Sequence, residues 1–354
     1  MSHDPLTSTT RASATVGVID DPSFDLHRSP GYHPERPERL VAARAAVERA
    51  GVRVEPIPVR RATREELERV HLPAYLDELR RLEGTRGQLD ADTYLAPESV
   101  EAAERAAGGA VALVEAILGG EFSRGVALLR PPGHHARPDR AMGFCLLNNV
   151  AVAAAHALSR GTRRVAIVDW DVHHGNGTQE MFFGDPRVLY VSLHQWPFYP
   201  GTGNASEIGK GEGRGFTVNL PLSSGAGTGD YAAAFERVVL PVLDAYAPEL
   251  VLVSAGFDAH KSDPLAGMQL DAHAYGWMTT VLGHVADKSA AGKLALFLEG
   301  GYDLAALEAS LAQSLASLVA TSRPAAVAPT PDSVHEGEIQ RTRKALREHW
   351  RDLA

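Results

Sequence analysis

Short apolar runs, several of them rich in β-branched residues, recur along the chain between longer stretches with helical periodicity. Such runs are typical of buried strands, and they lie at residues 15–19, 126–129, 165–168, 188–193, 250–254 and 294–298. The stretches between them have the apolar spacing of helices and lie at 37–50, 65–82, 99–118, 146–159, 231–245, 272–288 and 303–319. Strand and helix alternate, which predicts a three-layer α/β fold, a mostly parallel sheet flanked by helices.

The composition changes toward the C-terminus. Residues 322–332 are rich in Pro and Ala, and we interpret 321–335 as a surface connector to a last helix at 336–354. No repeat of fixed period is visible, so we expect one domain over residues 1–354, with its core at about 15–320. Thr63 and Glu66 have the spacing of a capping box, which predicts a helix start.

Charge and cysteine content narrow the class of function. The 354 residues have a formal net charge of −9, which argues against a nucleic-acid partner and mildly favours cationic substrates. Cys145 is the single cysteine, and residues 1–14 lack the apolar segment of a secretory signal, so we expect a cytoplasmic protein. No window approaches 18 uninterrupted apolar residues, so we expect no membrane partner.

Titratable side chains follow four of the predicted strands. Because loops converge beyond the carboxyl ends of parallel strands, we expect these side chains to meet at one edge of the sheet. The four segments are RPPGHH (130–135), DWDVHH (169–174), AGFDAH (255–260) and EGGYD (299–303). Each segment alone has an ordinary explanation as a turn or a helix cap, but together they favour a functional site.

The second segment predicts a metal site. Asp169, Asp171 and His173 alternate, and alternate residues of an extended chain face the same side. Asp258, at the end of a later strand, is the natural further ligand. Asp171, His173 and Asp258 would leave an open position, as in catalytic zinc sites. A metal held this way lowers the pKa of bound water from about 15.7 toward roughly 7 and polarises a carbonyl.

The other segments supply groups for acid-base chemistry. His134 and His135 would act as general acid and base, which typically contributes about 10²- to 10⁴-fold in rate. Each imidazole needs a partner that fixes its tautomer, and Asp169 and Asn176 are the spare polar residues of the stretch VDWDVHHGNG (168–177). The Tyr302 hydroxyl is suited to donate to a developing oxyanion.

These residues resemble the histone deacetylase family in its broad sense, which includes bacterial deacetylases, acetylpolyamine amidohydrolases and acetoin utilisation proteins. The resemblance covers about residues 15–320 in family order, through HPERPERL (33–40), RPPGHHA (130–136), GFCLLNNVAVAA (143–154), VDWDVHHGNGTQ (168–179), SLHQWPFYPGTG (192–203), SAGFDAHKSDPLAGM (254–268) and EGGYD (299–303). It implies an arginase-like fold and zinc-dependent amide hydrolysis. The zinc ligands that it implies are Asp171, His173 and Asp258.

The resemblance also implies roles for the remaining polar residues. His135, bonded to Asn176, resembles the general base and acid of the family, and His134, paired with Asp169, resembles its electrostatic partner. Tyr302 resembles the residue that stabilises the tetrahedral oxyanion together with zinc. An asparagine at 176 resembles the class II-type branch and should support a protonated histidine less than an aspartate would.

The family's second ion and its substrate tunnel also have counterparts in this sequence. A potassium site is implied at Asp169, Ser192 and Leu193, completed by backbone carbonyls of the zinc-ligand segment. The acyl-lysine tunnel is similar to one lined by Gly143, Phe144 and Tyr199, where Phe198 is the adjacent aromatic. Arg39 is expected at the pocket floor.

These features predict a zinc-dependent lysine deacetylase that removes acetyl or a short acyl group from a protein or peptide. Leu265 stands at a rim position where polyamine-specialised members can carry an acidic residue. Because leucine is apolar, it favours acyl-lysine over a substrate with a second cationic nitrogen. The alternatives are an acetylpolyamine amidohydrolase, an arginase-type dinuclear manganese hydrolase of guanidino substrates, and a non-catalytic acyl-lysine-binding protein. Iron(II) or cobalt would also suit the ligand set, and a homo-oligomer is compatible with the sequence.

Overall fold

Parallel strand pairing organises the fold. The computed structural model describes residues 15–320, 327–328, 330 and 333–353. Its strands, in chain order, are β1 (Val16–Ile19), β2 (Val54–Pro56), β3 (Gly87–Gln88), β4 (Tyr94–Leu95), β5 (Arg124–Ala127), β6 (Val165–Asp169), β7 (Val188–Gln195), β8 (Thr217–Leu222), β9 (Leu250–Ala255) and β10 (Leu294–Leu298). Eight of them form one sheet in the order β2-β1-β5-β10-β9-β6-β7-β8, with every pair parallel, and β3 and β4 form a separate antiparallel hairpin.

Helices cover this sheet. In chain order they are α1 (Glu38–Ala50), α2 (Arg64–Glu68), α3 (Pro73–Arg81), α4 (Ser99–Leu118), α5 (Asn149–Ser159), α6 (Asn176–Phe182), α7 (Thr228–Ala234), α8 (Leu240–Tyr246), α9 (Ala272–Ser289), α10 (Leu304–Leu318) and α11 (Glu336–Leu346). Helices α1, α10 and α9 pack side by side in one layer, and α4 packs on α5 in the other. The predicted three-layer α/β fold is confirmed. None of the described helices combines the length and apolar character needed to cross a bilayer.

Each of the six apolar runs forms a strand of the sheet, but the pattern misses both edge strands. The run at 126–129 is displaced, since β5 begins and ends two residues earlier. Strands β2 and β8 contain Pro56 and Pro221, and proline, which has no amide hydrogen to donate, is tolerated in edge strands. Proline interrupts the pattern by which a strand is recognised from sequence.

Proline also breaks helices that the periodicity predicts as continuous. The segment 65–82 forms two helices because Pro73 opens α3 after an extended Leu72. The capping box at Thr63 and Glu66 is confirmed, with both reciprocal bonds formed at the start of α2. The segment 231–245 contains a π-helical turn at Phe235–Val239, immediately before Pro241.

The last predicted helix is shorter than expected. Helix α11 ends at Leu346, and a 3₁₀ turn follows at Arg351–Leu353. The Trp350 indole between them donates to the Gly215 carbonyl at 2.8 Å, so the chain turns to bury this ring. Most of the predicted connector, residues 321–326, 329 and 331–332, lies outside the described residues.

A buried ion pair connects the N-terminal region to the segment after β5. Arg130 donates from Nη2 to Glu35 Oε2 at 2.8 Å and a second time from Nε to Oε1, and both side chains are fully buried. Arg130 also donates to the carbonyls of Phe24 and His27 at 2.8 and 2.9 Å. Burial opposes ionisation of Glu35, but Arg130 outweighs it and holds the pKa of this carboxyl well below its usual range.

Replacing Glu35 with Gln should lower the free energy of unfolding by about 3–5 kcal/mol, because a buried guanidinium loses its carboxylate. Urea denaturation followed by circular dichroism measures the change. The control is Arg53→Gln, which removes an exposed pair with Glu55 and should cost less than about 1 kcal/mol. Equal effects of the two substitutions would show that the buried pair does not stabilise the fold.

Candidate active site

The polar segments follow four adjacent central strands. The order β5-β10-β9-β6 in the sheet brings residues 130–135, 299–303, 255–260 and 169–174 to one edge. The neighbouring register pairs Asp169 of β6 with Ser254 of β9, and Leu298 of β10 with Ala255. The four strands therefore end nearly level, and their following loops share one space.

Asp171, His173 and Asp258 form a compact cluster at this edge. One ligand-type atom from each residue lies within 4.8 Å of the others. His173 Nδ1 is 3.2 Å from both Asp171 Oδ1 and Asp258 Oδ2. The carboxylates are further fixed by backbone amides, since Val172 N–H donates to Asp258 at 2.9 Å and Gly300 N–H donates to Asp171 at 2.8 Å.

The donor set of this cluster suits a divalent metal ion. Two buried carboxylates and an imidazole converge on one point, and three such ligands are the number found in catalytic zinc sites. Burial and the Asp171 charge raise the pKa of Asp258. Burial alone would lower the pKa of His173, but its bonds to the two aspartates outweigh burial and raise it to about 10. The His173 Nδ1 atom and one oxygen of each carboxylate thus face a common point.

The two adjacent histidines have opposite electrostatic environments. His134 Nδ1 lies 3.1 Å from Asp169 Oδ2, and His135 Nδ1 lies 2.8 Å from Asn176 Oδ1. Burial opposes a charge on His134, but the Asp171 and Asp169 carboxylates outweigh it and raise its pKa to about 10. Burial and the charges of His134 and His173 lower the pKa of His135 well below 6.5. His134 is therefore cationic and His135 neutral at pH 7.

A buried carboxylate that the sequence analysis missed supports the histidine loop. Glu299 Oε2 accepts hydrogen bonds from the Gly133 and His134 amides at 2.7 and 3.1 Å. The Glu299 side chain is fully buried, and burial raises its pKa to about 7. The EGGYD motif therefore holds the loop of another strand, a contact across the sheet that no local pattern reveals.

Tyr302 lies above a buried guanidinium. The Arg39 guanidinium carbon is 5.1 Å from the centre of the Tyr302 ring. Arg39 donates to the Gly301 carbonyl at 2.7 Å and also to the Glu299 carbonyl. The Tyr302 and Asp303 amides donate to Asp263 Oδ2 at 2.6 and 3.2 Å. Arg39, which the sequence analysis expects at the pocket floor, lies under the Tyr302 ring and is not among the residues that line the cavity.

A narrow cavity of about 170 Å³ leads to these groups. Its walls include the four predicted substrate residues, and the full lining is Asp92, Pro132, His134, His135, Gly143, Phe144, Cys145, His173, Tyr199, Leu265, Gly300 and Tyr302. Tyr199 rather than Phe198 lines the cavity, while Phe198 stacks on the His173 ring with a centroid distance of 5.3 Å. The cavity thus has aromatic walls and a polar, charged end.

The backbone at Gly143 and Phe144 is in an unusual conformation. Both residues have positive φ, 56° and 69°, a region that a bulky residue rarely adopts. A Cβ on residue 143 would lie 2.5 Å from His135 Cδ2, so glycine is required there. Strained residues of this kind cluster at functional sites, and here the strain directs the Phe144 ring into the cavity.

Comparison with known proteins agrees with this geometry. Residues 33–318 match the family model described as the histone deacetylase domain. Over 316 residues, 86% of this chain and 55% of the relative, the chain is 44% identical to histone deacetylase 15 of Arabidopsis thaliana. It is 40% identical to polyamine deacetylase HDAC10 of Homo sapiens over 360 residues, 96% of this chain and 52% of that protein.

The chain belongs to the histone deacetylase family. It spans about half the length of these two curated relatives. The crystal structure of the HDA15 HD domain superposes with a TM-score of 0.88 at 40% identity, covering 96% of this chain and 97% of that one. This similarity also confirms the expected deacetylase-like fold.

The residues that the family resemblance assigns to potassium lie next to each other. Asp169 of β6 pairs with Ser192 of β7, and Leu193 follows in the same strand. Asp169 Oδ2 accepts a bond from the Tyr190 hydroxyl at 3.0 Å, and Ser192 Oγ lies 2.9 Å from His194 Nδ1. The side chains therefore already have protein partners.

Asp92 is a further cavity residue without a sequence signal. It lies in the β3–β4 loop, where only the acidic character of LDAD (89–92) marks it. Burial and neighbouring Asp90 raise its pKa to about 6. Thr93 fixes the same segment, since its hydroxyl accepts the Phe144 amide hydrogen at 3.0 Å.

A second histidine-carboxylate cluster in the described part of the chain does not suit a metal. Glu66, Glu115 and His156 lie within metal-ligand distance of one another. Arg60 makes two bonds to Glu66, at 2.6 and 2.7 Å, and Arg69 lies 3.1 Å from His156 Nδ1. Arg60 also pairs with Glu115 at 3.5 Å, so its guanidinium already neutralises part of the charge of both carboxylates, and a dication would gain little there.

Replacing Gly300 with Ala should weaken metal binding by about 10- to 100-fold, the usual cost of disturbing groups that orient ligands. A Cβ at this position would lie 2.2 Å from Asp258 Oδ2 and 2.6 Å from Asp171 Oδ2. Zinc retained after dialysis against graded chelator measures the effect. Gly87→Ala, where nothing lies within 4 Å, is the control. Equal retention by both variants would exclude the proposed ligand positions.

Proposed function

We propose that this chain is a metal-dependent amidohydrolase that removes an acetyl or short acyl group from the amine nitrogen of an acyl-lysine side chain. The observation that carries the proposal is the juxtaposition of a three-ligand cluster with a neutral histidine at the end of an aromatic-walled cavity. Membership of a family that includes named histone and polyamine deacetylases supports the reaction class.

Asp171, His173 and Asp258 would hold one zinc ion. Bound there, zinc would polarise the amide carbonyl and make water a better nucleophile at neutral pH. The donor atoms of the chain leave one side of the cluster facing the cavity, because His173 itself lines it. We assign no second metal, since the nearby His134 and His135 are engaged with Asp169 and Asn176.

His135 is the proposed general base and acid. Its Nδ1 donates to Asn176 Oδ1, which leaves Nε2 free to accept the proton of the attacking water. The same proton can then pass to the leaving amine. His134, held cationic by Asp169, supplies fixed positive charge beside it, so the negative charge of the transition state is stabilised without a further proton transfer.

Tyr302 is the proposed oxyanion donor. Its hydroxyl-bearing ring lines the cavity end, and burial raises the pKa of this phenol well above 10. The hydroxyl therefore keeps its hydrogen at neutral pH and can donate it to a developing negative charge. The charge of Arg39 beneath the ring lowers this pKa, but burial outweighs it.

The cavity walls suit an acylated alkylamine. Phe144 and Tyr199 would clasp the methylene chain, with Gly143 leaving room between them. The apolar Leu265 at the rim offers no charge to a second cationic nitrogen, which favours acyl-lysine. Asp92, which also lines the cavity, favours the alternative, an acetylated polyamine, because its carboxylate could pair with a distal ammonium.

Two lesser assignments complete the proposal. A potassium ion would bind between β6 and β7 at Asp169, Ser192 and Leu193. This assignment is supported by the pairing of Asp169 with Ser192 in the sheet. We also propose a reducing compartment such as the cytoplasm, because Cys145 is the single cysteine of the sequence.

Acetate release from acetyl-lysine peptides and from acetylated polyamines, measured in parallel with zinc-loaded protein, tests the substrate class. We expect higher kcat/KM for the peptide. Leu265→Glu should shift the ratio toward the polyamine by about 10-fold, on the scale of one added ion pair; Leu265→Gln is the uncharged control. Acetate release from neither substrate would contradict the proposed function.

Tyr302→Phe should lower kcat by about 10²- to 10³-fold with little change in KM, because one oxyanion donor is lost while the ring that packs on Arg39 is retained. Steady-state acetate release measures this. Tyr32→Phe, which removes the hydroxyl of an 84% exposed tyrosine, is the control. A Tyr302→Phe rate near that of the unmodified protein would mean that the hydroxyl has no role.

A further inference from the structure

One buried carboxylate, outside every role assigned above, contacts two walls of the cavity. Asp263 is 6% exposed and lies in the loop between β9 and α9. Its Oδ1 accepts the Leu265 amide hydrogen at 3.0 Å. Its Oδ2 accepts the amide hydrogens of Tyr302 and Asp303 at 2.6 and 3.2 Å. Both Leu265 and Tyr302 line the cavity.

The two oxygens of the Asp263 carboxylate make different kinds of hydrogen bond, one local and one between distant segments. The bond to Leu265, two residues on, is an ordinary Asx turn and would form in many loops. The bonds to Tyr302 and Asp303 join residues 39 and 40 positions apart. These long-range bonds cannot be attributed to local turn geometry, and they attach the loop after β9 to the loop after β10.

The Tyr302 loop needs such an acceptor. Gly301 has a φ of 119°, a left-handed conformation that favours glycine, and the next two amides, of Tyr302 and Asp303, both donate to Asp263. The Asp303 side chain is occupied, because it caps α10 by accepting the Ala306 amide hydrogen at 2.8 Å. Without Asp263, two amides beside the cavity would lack their protein acceptor, and an unpaired amide is unfavourable in a buried position.

We propose that Asp263 is a positioning residue that fixes Tyr302 at the cavity end and Leu265 at its rim through one carboxylate. The Arg39 guanidinium packs on the Tyr302 ring, and the Asp263 carboxylate fixes the Tyr302 backbone amide. The positions of the rim and of the oxyanion donor are therefore coupled. This inference rests on the proposed function only where it refers to rate; the attachment of the loop stands without it.

Amide exchange tests the attachment directly. In Asp263→Ala, hydrogen exchange at Tyr302 and Asp303, followed by mass spectrometry on the peptide that contains them, should accelerate at least about 10-fold, the factor that corresponds to a loss of 1.4 kcal/mol. The control is Asp271→Ala, which removes a comparable carboxylate bond, to the Ala274 amide at 3.1 Å at the start of α9. Unchanged exchange at 302–303 in Asp263→Ala would overturn the proposal.

A double-mutant cycle tests the consequence for rate. Asp263→Ala should lower kcat by about 10- to 100-fold in the unmodified background and by less than about 2-fold in the Tyr302→Phe background, because the two residues act through one hydroxyl. Asp271→Ala should leave kcat unchanged. Equal losses in both backgrounds would show that Asp263 acts through general stability, and would overturn the positioning role.

The remaining outcomes are also decisive. If Asp263→Ala does not fold, Asp263→Asn is used instead, because asparagine keeps the volume and one acceptor oxygen. Only one of the two hydrogen-bonded amides can then keep its acceptor, so exchange should accelerate at Leu265 or at Tyr302. Protection retained on both sides would overturn the proposal. If the unmodified protein releases no acetate, the proposed function fails, while the exchange measurement still decides whether Asp263 holds the loop.

Discussion

Charge buried at one end of the sheet is the constraint on which the rest of the structure depends. Asp169, Asp171, Asp258 and Glu299 are each at most 1% exposed, although an unpaired buried carboxylate is costly by several kcal/mol. Four neighbouring strands place them there together. A fold that concentrates carboxylates in this way must supply positive charge and amide donors at the same edge.

The chain compensates these charges in three ways. Backbone amides of the Gly133–His134 and Gly300 peptides donate to Glu299 and Asp171. The Asp171 and Asp169 carboxylates outweigh burial and raise the pKa of His134 to about 10, which favours its cationic form. The His173 imidazole lies 3.2 Å from Asp171 and Asp258, and its bonds to these carboxylates raise its pKa to about 10. The pKa of His135, by contrast, is lowered by burial and by the charges of His134 and His173.

Local patterns in the sequence predicted the parts of the fold that local physics determines. Apolar runs gave all six inner strands and the strand-end segments, and Asp171, His173 and Asp258 from two of these segments lie together. The apolar pattern missed the edge strands β2 and β8, and it predicted one helix where the chain breaks before Pro73. In each case a proline interrupts the periodicity, and whether it lies in an edge strand or at a helix start depends on the tertiary structure.

The supporting residues of the site were harder to predict. Glu299, Asp263 and Asp92 stand in short segments that resemble ordinary turns. Glu299 accepts from the Gly133 amide, 166 positions away, and Asp263 accepts from the Tyr302 amide, 39 positions away. Motif resemblance identified groups that face the cavity, since these stand in long recognisable segments. Groups that hold those residues in place are defined by contacts between segments, and one sequence contains no signal for such pairs.

The most direct test of whether these strand ends form one catalytic metal centre is acetate release from an acetyl-lysine peptide while metal-free protein is titrated with zinc. We predict a linear rise that reaches its plateau at one equivalent of zinc per chain and is absent in Asp258→Ala. A plateau at two equivalents, or full activity without metal, would contradict a single catalytic metal centre.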